Sequence, residues 1–215
     1  MCIVIDKKEI RTGLEETGIP NPSSETMSNI TISSELREQV RQAREAYLQL
    51  ANLGTESKNQ VLHAFAKALR ANTSKILEAN ALDVVEAEKM VQSGELSESA
   101  CKRVMLNEAK LELMAQNCES VAKLEDPVGK VLQATRLDEG LDLYRVSCPI
   151  GVVLVIFESR PDVVVQISAL AVKSGNAVIL KGGREAVHSN RVLAKILRQT
   201  ADDIEEMPIN ALSLV

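Results

Sequence analysis

The segment IGVVLVIFESRPDVVVQISALAVKSGNAVIL, residues 150–180, decides the fold class of this chain. Its first part, IGVVLVIF, is continuously apolar and rich in β-branched side chains, which is typical of a strand covered on both faces by helices. Pro161 suits the first turn of a helix, and the largely apolar run that follows it ends at Gly175. AVIL at 177–180 is strand-like again. The segment therefore predicts two parallel strands joined by a buried helix.

The residues after this segment continue the alternation of strand and helix. KGG at 181–183 breaks the second strand, a further helix is predicted from about Glu185 to Gln199, and ALSLV at 211–215 has the pattern of a third strand. Strand, helix, strand, helix and strand in this order form a βαβαβ unit with right-handed crossovers, which is half of a doubly wound parallel sheet. The prediction is an α/β fold in which residues 149–215 carry the parallel sheet.

The residues before this unit predict amphipathic helices followed by a hairpin. Apolar residues recur at helical spacing across 33–126, and the predicted helices begin at Ser33–Ser34, Thr55, Thr73 and Glu98, the last running to about Leu124. Residues 127–148 instead alternate apolar and polar side chains around Asp138-Glu139-Gly140, which predicts a β-hairpin with one buried face. Residues 1–32 contain turn-forming residues without an apolar period and are interpreted as a mobile tail.

Composition excludes several classes of function. A chain of 215 residues with a net charge of −5 and 2% aromatic residues has neither the positive field nor the stacking side chains that nucleic-acid binding uses. Its apolar runs fall short of the roughly 20 residues that span a membrane. Four cysteines (2, 101, 118 and 148) lie far apart without the spacing of a zinc site or a disulfide framework, so we expect ordinary thiols, no metal and a cytoplasmic location.

Two clusters follow the predicted strands, where parallel sheets bind ligands. Glu158-Ser159-Arg160 comes after the first strand, and there the Glu158 and Arg160 side chains either pair at the start of the helix or leave Arg160 as a bidentate fork for a carboxylate or phosphate. Lys181-Gly182-Gly183-Arg184 comes after the second strand. It is either an ordinary turn with solvated side chains or an anion site in which glycines allow close approach and the next helix offers free amides. Neither cluster contains a Rossmann fingerprint or a P-loop.

Residues 145–190, RVSCPIGVVLVIFESRPDVVVQISALAVKSGNAVILKGGREAVHSN, resemble the γ-glutamyl phosphate reductases, also called glutamate-5-semialdehyde dehydrogenases, a branch of the aldehyde dehydrogenase superfamily. LEDPVG at 124–129 supports the match. The combination of IGV, ESRPDV, SGNAVILKGG and a downstream Ser-Asn separates this branch from ordinary aldehyde dehydrogenases. The sequence is also similar to the reductase part of bifunctional pyrroline-5-carboxylate synthases, and the resemblance continues more weakly back to about Leu36.

The resemblance implies reduction of L-glutamate 5-phosphate by NADPH to L-glutamate 5-semialdehyde and phosphate, a step of proline biosynthesis. In the family a cysteine thiolate attacks the acyl phosphate, and hydride then reduces the resulting thioester. The resemblance implies that Lys181 contacts the adenosine end of the cofactor and that Gly182 and Gly183 lie in the same turn. Arg184 then suits the 2′-phosphate of NADPH, and Arg160 with Ser159 forms a site for the acyl phosphate or the developing oxyanion.

The family's nucleophilic cysteine aligns with none of the four cysteines and is expected beyond the carboxyl terminus. We therefore expect residues 33–126, 127–148 and 149–215 to be the helical segment, the hairpin and the NADP-binding unit of a truncated reductase without turnover of its own. A complete form is expected to be a homo-oligomer. Two alternatives stay open: a non-catalytic module that binds a complete reductase or glutamate 5-kinase, and an unstable product of a broken gene.

Overall fold

A parallel three-stranded sheet with helices on both sides organises residues 33–215, which the computed structural model describes. The tail predicted for residues 1–32 lies outside the described residues. The elements are α1 Ser34–Leu50, α2 Thr55–Ala71, α3 Thr73–Gln92, α4 Glu98–Val104, α5 Glu108–Lys123, β1 Val131–Asp138, β2 Leu141–Val146, β3 Val152–Ile156, α6 Asp162–Lys173, β4 Ala177–Lys181, a short 3-10 helix Arg184–Ala186, α7 Val187–Asp202 and β5 Leu212–Leu214. The predicted α/β class, with helices, a hairpin and a βαβαβ unit, is confirmed.

Strand β4 is the centre of the sheet. The strands lie in the order β3-β4-β5 and all run parallel, with Leu154 opposite Ile179 and Ile179 opposite Ser213. Helix α1 packs on one face of the sheet, while α6 and α7 pack on the other. Residues Ala177–Leu180 are consequently buried on both faces, as a continuously apolar strand requires.

Strand β3 departs from the predicted burial. Leu154 is 58% exposed and Ile156 is 71% exposed, although both belong to the apolar run that predicted complete coverage. The reason is the short reach of α1, whose Ala43 and Tyr47 pack near Val152 at the beginning of the strand and leave the rest of that face open. The prediction of a strand covered on both faces is therefore wrong for β3. Strand β4, for which the sequence predicted only a strand, is the one that is covered on both faces.

The hairpin also departs from its predicted burial. Strands β1 and β2 pair antiparallel around a turn in which Gly140 has a φ of 77°, as the sequence predicts. Every residue of both strands is exposed, however, because the hairpin forms a separate two-stranded sheet and does not join the core. The expectation of one buried face is wrong, since alternation alone does not supply an element to cover the apolar side.

The helix predicted from Glu98 to about Leu124 is two helices, α4 and α5. The break between them is stabilised by Asn80 of α3, whose Nδ2 donates to the carbonyl of Val104 at 2.8 Å and whose Oδ1 accepts from the amide of Leu106 at 2.8 Å. Asn107 then caps α5, since its Oδ1 accepts from the amide of Lys110 at 2.8 Å. A buried carboxamide thus satisfies backbone groups that a continuous helix would have paired internally.

Asp126 connects α2 to the base of the hairpin. Lys58, with a side chain only 1% exposed, donates from Nζ to Asp126 Oδ2 at 2.9 Å, and Thr55 donates to the same oxygen at 2.9 Å. The amide of Val128 donates to Oδ1 at 2.9 Å. Burial on its own raises the pKa of Asp126, but these hydrogen bonds, led by that of Val128, outweigh it and hold the pKa below its usual value.

A second buried lysine adjoins this pair. Lys173, at the end of α6, donates from Nζ to Asn59 Oδ1 at 2.7 Å and to the carbonyl of Ala122 at 2.9 Å. Burial lowers the pKa of its ammonium group, against the attraction of Asp126. The two lysines therefore tie α2, α5 and α6 together with a single carboxylate between them.

Replacing Asp126 with Asn should lower the free energy of unfolding by about 3 kcal/mol, because Lys58 would be left buried without a counterion. Urea denaturation followed by circular dichroism measures this change. Asp142→Asn is the matched control, since it removes an exposed ion pair with Arg136 and should cost less than about 1 kcal/mol. Equal costs for the two variants would contradict the interpretation.

The cost of Asp126→Asn should also depend on pH. Because the pKa of Asp126 is lower in the folded chain than in the unfolded chain, its stabilising contribution is complete above its ordinary pKa near 4 and disappears as the pH falls through the folded-state pKa. The difference in the free energy of unfolding between the wild-type chain and the variant should therefore be constant from about pH 7 to about pH 5 and shrink as the pH falls below about 4. A difference as large at about pH 3 as at about pH 7 would contradict the assignment.

Candidate functional site

The two predicted clusters meet at one edge of the sheet. Strands β3 and β4 are parallel neighbours, so that Ile156 lies opposite Lys181, and the amide of Phe157 donates to the carbonyl of Lys181 at 3.0 Å. The loop that carries Ser159 and Arg160 therefore lies beside the loop that begins at Lys181. This is the edge at which open parallel sheets bind their ligands.

Glu185 joins these two loops. The amide of Ser159 donates a short hydrogen bond to Glu185 Oε1, and the Ser159 hydroxyl donates to the same oxygen at 3.1 Å. Both residues are buried, and Ser159 has a φ of 53°, a left-handed conformation that costs about 1 kcal/mol or more in a residue other than glycine. The carboxylate therefore fixes the backbone bend that precedes Arg160. Sequence reasoning used Glu185 only as the start of a helix, and the available signal was an acidic residue immediately after a glycine turn.

Gly182 and Gly183 are required by close packing. A Cβ atom at Gly182 would collide with the Asn190 amide, and one at Gly183 would collide with the Glu185 carboxylate. The predicted close approach to these glycines is therefore present, but the groups that approach them are side chains of the chain itself.

The beginning of α7 differs from the sequence-based expectation of free amides. The amide of His188 donates to Asp83 Oδ1 at 2.9 Å, and the amide of Ser189 donates to Asp83 Oδ2 at 2.6 Å. Asp83 lies on α3 and is buried, so a carboxylate from a distant helix already occupies this positive helix end. An anion at this edge of the sheet therefore does not find these two amides free.

Lys181, Gly182, Gly183 and Arg184 line one cavity of about 390 Å³ at the carboxyl ends of β4 and β5. Arg191 of α7 lines it too, so that three cationic side chains surround the cavity. Lys181 Nζ donates to the carbonyl of Gly182 at 2.8 Å. Arg191 was missed by sequence reasoning, which considered only the residues that immediately follow each strand. Its place in the second turn of the predicted helix was the available signal.

Arg184 reaches outward from this cavity. Its guanidinium contacts the Glu95 carboxylate at 2.5 Å, and its side chain is 73% exposed. An exposed ion pair of this kind adds little to stability, so Arg184 can exchange its partner at small cost.

Arg160 lies in a second cavity, of about 290 Å³, between α5 and the first turn of α6. Its guanidinium donates to Asp162 Oδ2 at 3.0 Å, and the side chain is half exposed. The alternative in which Arg160 pairs with Glu158 is therefore wrong, because the carboxylate two residues later takes that place. One of the five N–H groups of the guanidinium is used by this bond, and the structure of residues 33–215 gives the others no partner.

The described cysteines have the features of ordinary thiols. Cys101 and Cys118 are buried, and burial raises the pKa of the Cys118 thiol to about 12. Cys148 is exposed but lies before β3, at the end of the strand away from Arg160. Cys2 lies outside the described residues. Within residues 33–215 no helix combines the length and the apolar character needed to cross a membrane.

Comparison with known proteins bears out the resemblance. The γ-glutamyl phosphate reductase of Natronomonas pharaonis is 51% identical over 164 residues, 76% of this chain and 37% of that protein. That of Methanococcoides burtonii is 45% identical over 184 residues, 86% of this chain and 41% of that protein. The chain thus spans about two fifths of the length of these curated relatives.

Solved structures of the same reductases also resemble this chain. The γ-glutamyl phosphate reductase of Saccharomyces cerevisiae matches with a TM-score of 0.80 and 42% identity, over 86% of this chain and 47% of that chain. That of Thermotoga maritima matches with a TM-score of 0.78 and 37% identity, over 85% and 43%. The model of the Aldehyde dehydrogenase family matches residues 20–215. The chain belongs to the aldehyde dehydrogenase family.

Proposed function

We propose that this chain is the NADP-binding part of a reductase that converts L-glutamate 5-phosphate to L-glutamate 5-semialdehyde and phosphate. The names of the similar reductases support the acyl-phosphate substrate, and the observation that carries the proposal is the cavity surrounded by Lys181, Arg184 and Arg191 at the carboxyl edge of the sheet. In this proposal residues 149–215 form the NADP-binding unit, 33–126 its helical segment and 127–148 the hairpin.

NADPH suits this cavity because its 2′-phosphate carries a charge of about −1.5 to −2. Lys181 contacts the adenosine end, and Gly182 and Gly183 keep the turn narrow beside it. Arg184 exchanges the single carboxylate of Glu95 for the phosphate and binds it with a bidentate pair of charge-assisted hydrogen bonds. When bound, NADPH supplies the hydride that reduces the acyl carbon.

Arg160 holds the acyl group in this proposal. Its unpaired N–H groups can bind the phosphate that leaves or the oxygen on which negative charge develops. Ser159 acts indirectly, because its amide and hydroxyl both donate to Glu185 and neither is left for the substrate. Ser159 and Glu185 are therefore positioning residues that fix the direction in which Arg160 leaves the backbone.

The nucleophilic cysteine comes from another part of the enzyme. Cys101 and Cys118 are buried, and Cys148 is separated from Arg160 by strand β3, a length of about 17 Å. None of these three thiols can attack a carbonyl carbon that Arg160 holds. We accordingly expect no turnover from this chain alone, and the complete enzyme to be a cytoplasmic homo-oligomer.

A second candidate function is that of a non-catalytic interaction module. The apolar side chains of the hairpin, Leu132, Leu137, Leu143 and Tyr144, are all more than half exposed and are therefore accessible to a partner. The partner would be a complete reductase or glutamate 5-kinase. Co-purification with either protein by a chain that does not bind NADPH would favour this function.

Titration with NADPH and NADH tests the cofactor assignment. The chain should bind NADPH more tightly than NADH, and Arg184→Glu should weaken NADPH binding roughly 10–100-fold while changing NADH binding little, because only NADPH has the 2′-phosphate. Arg44→Glu on the exposed face of α1 is the matched control and should bind NADPH as the wild-type chain does. Equal losses for both cofactors would contradict the role given to Arg184.

Arg160 can be tested in a complete reductase that contains residues 33–215 of this chain. Arg160→Ala should lower kcat/KM for glutamate 5-phosphate about 100-fold, because one donor to the developing oxyanion is lost. Arg160→Lys should have a kcat/KM between those of the wild-type enzyme and Arg160→Ala, since lysine keeps the positive charge but lacks the two-pronged donor geometry of the guanidinium. Arg136→Ala in the hairpin turn region serves as the control. An unchanged kcat/KM for Arg160→Ala would exclude this role.

A further inference from the structure

The cavity that contains Arg160 has charged groups that the proposed reaction does not yet use. Arg103 at the end of α4 and Lys110 in the first turn of α5 line it together with Arg160 and Asp162. No ion pair to Arg103 or Lys110 occurs within residues 33–215, and Lys110 Nζ instead makes a short hydrogen bond to the carbonyl of Met105. Two cations therefore face this cavity without a carboxylate to neutralise them.

Asp162 is the acidic group of the same cavity. Its Oδ2 accepts from Arg160 at 3.0 Å and from Gln166 at 2.9 Å, so the carboxylate is held in one orientation. Its Oδ1 accepts no hydrogen bond from the described part of the chain. A carboxylate oxygen of this kind, beside two unpaired cations, can accept from a ligand ammonium group.

We propose that this cavity binds the α-amino-acid end of the substrate. Arg103 and Lys110 donate hydrogen bonds to the α-carboxylate, and Asp162 Oδ1 accepts one from the α-ammonium group. The assignment rests on the proposed function, which gives the adjoining Arg160 to the acyl phosphate. Lys110 turns from the Met105 carbonyl to the ligand carboxylate when the ligand binds. The three groups together determine specificity for an α-amino acid over a simple acyl phosphate.

The charges and the shape of the cavity agree with this ligand. Three cations and one carboxylate give the cavity a net charge of +2. Glutamate 5-phosphate carries a phosphate of about −1.5 to −2, one carboxylate and one ammonium, which sum to about −2. Leu106, Leu113 and Met114 supply an apolar lining for the methylene groups between the two ends, and a cavity of about 290 Å³ suits a small ligand.

L-Glutamate 5-methyl ester and monomethyl glutarate test the assignment on the full chain. The ester has both α groups and no reactive acyl phosphate, while monomethyl glutarate lacks only the ammonium. Binding is followed through the ¹H–¹⁵N resonances of Met114 and Asn117, which line the cavity, at ligand concentrations up to about 20 mM, because ligands of this size bind in the millimolar range. The wild-type chain should bind the ester more tightly than monomethyl glutarate.

Two variants separate the groups of the cavity. Arg103→Gln should weaken the binding of both ligands roughly 10-fold, since both keep the carboxylate. Asp162→Asn should weaken the binding of the ester roughly 10-fold and leave the binding of monomethyl glutarate unchanged. Arg44→Gln, outside the cavity, should bind both ligands as the wild-type chain does. Circular dichroism checks that each variant is folded.

The outcomes distinguish this inference from the proposed function. Ester binding that neither variant weakens, or equal binding of the two ligands to the wild-type chain, overturns the assignment. A chain that binds NADPH and not the ester also overturns it, and leaves the proposed cofactor role standing. A chain that binds neither NADPH nor the ester contradicts both proposals.

Discussion

Strand β4 is buried on both faces, and the positions of the helices and strands that pack around it follow from the need to cover it. Helix α1 lies on one face of the sheet, and α6 and α7 lie on the other. Strands β3 and β5 form hydrogen bonds with the two edges of β4. Because all three strands are parallel, each connection returns across the sheet and every strand ends at the same edge. The loops after β3 and β4 are thereby brought together, and the chemistry of the site depends on this juxtaposition.

Helix α3 provides the buried polar groups that fix the surrounding helix ends. Asn80 forms hydrogen bonds with the backbone groups at the break between α4 and α5. Asp83, nearly one turn later on the same helix, accepts hydrogen bonds from the amides at the start of α7. Both side chains are buried, and each pairs with backbone groups that would otherwise be left without partners. The edge of the sheet that carries Lys181 is therefore held from the side of α3 as well as by its own strand.

Periodicity and turn residues predicted most of the elements because these signals are local in the chain. Ser33 caps α1, Gly175 has a φ of 70° after α6, and the hairpin turns at Gly140, as the sequence indicated. The contacts that define the site are not local. Glu185 binds Ser159 26 positions away and Asp83 binds His188 105 positions away, so no spacing rule could reveal them. Exposure of Leu154 was equally inaccessible, because it depends on where α1 ends.

The capping of α7 by Asp83 couples two helices that are far apart in the sequence. The amides of His188 and Ser189 can exchange their hydrogens with water only when α3 moves away from α7 or when α7 itself unwinds. Their exchange rates therefore report the opening of α3 rather than the fraying of α7 alone. The beginning of α7, an element end that is ordinarily among the most dynamic parts of a protein, should in this chain exchange as slowly as the core.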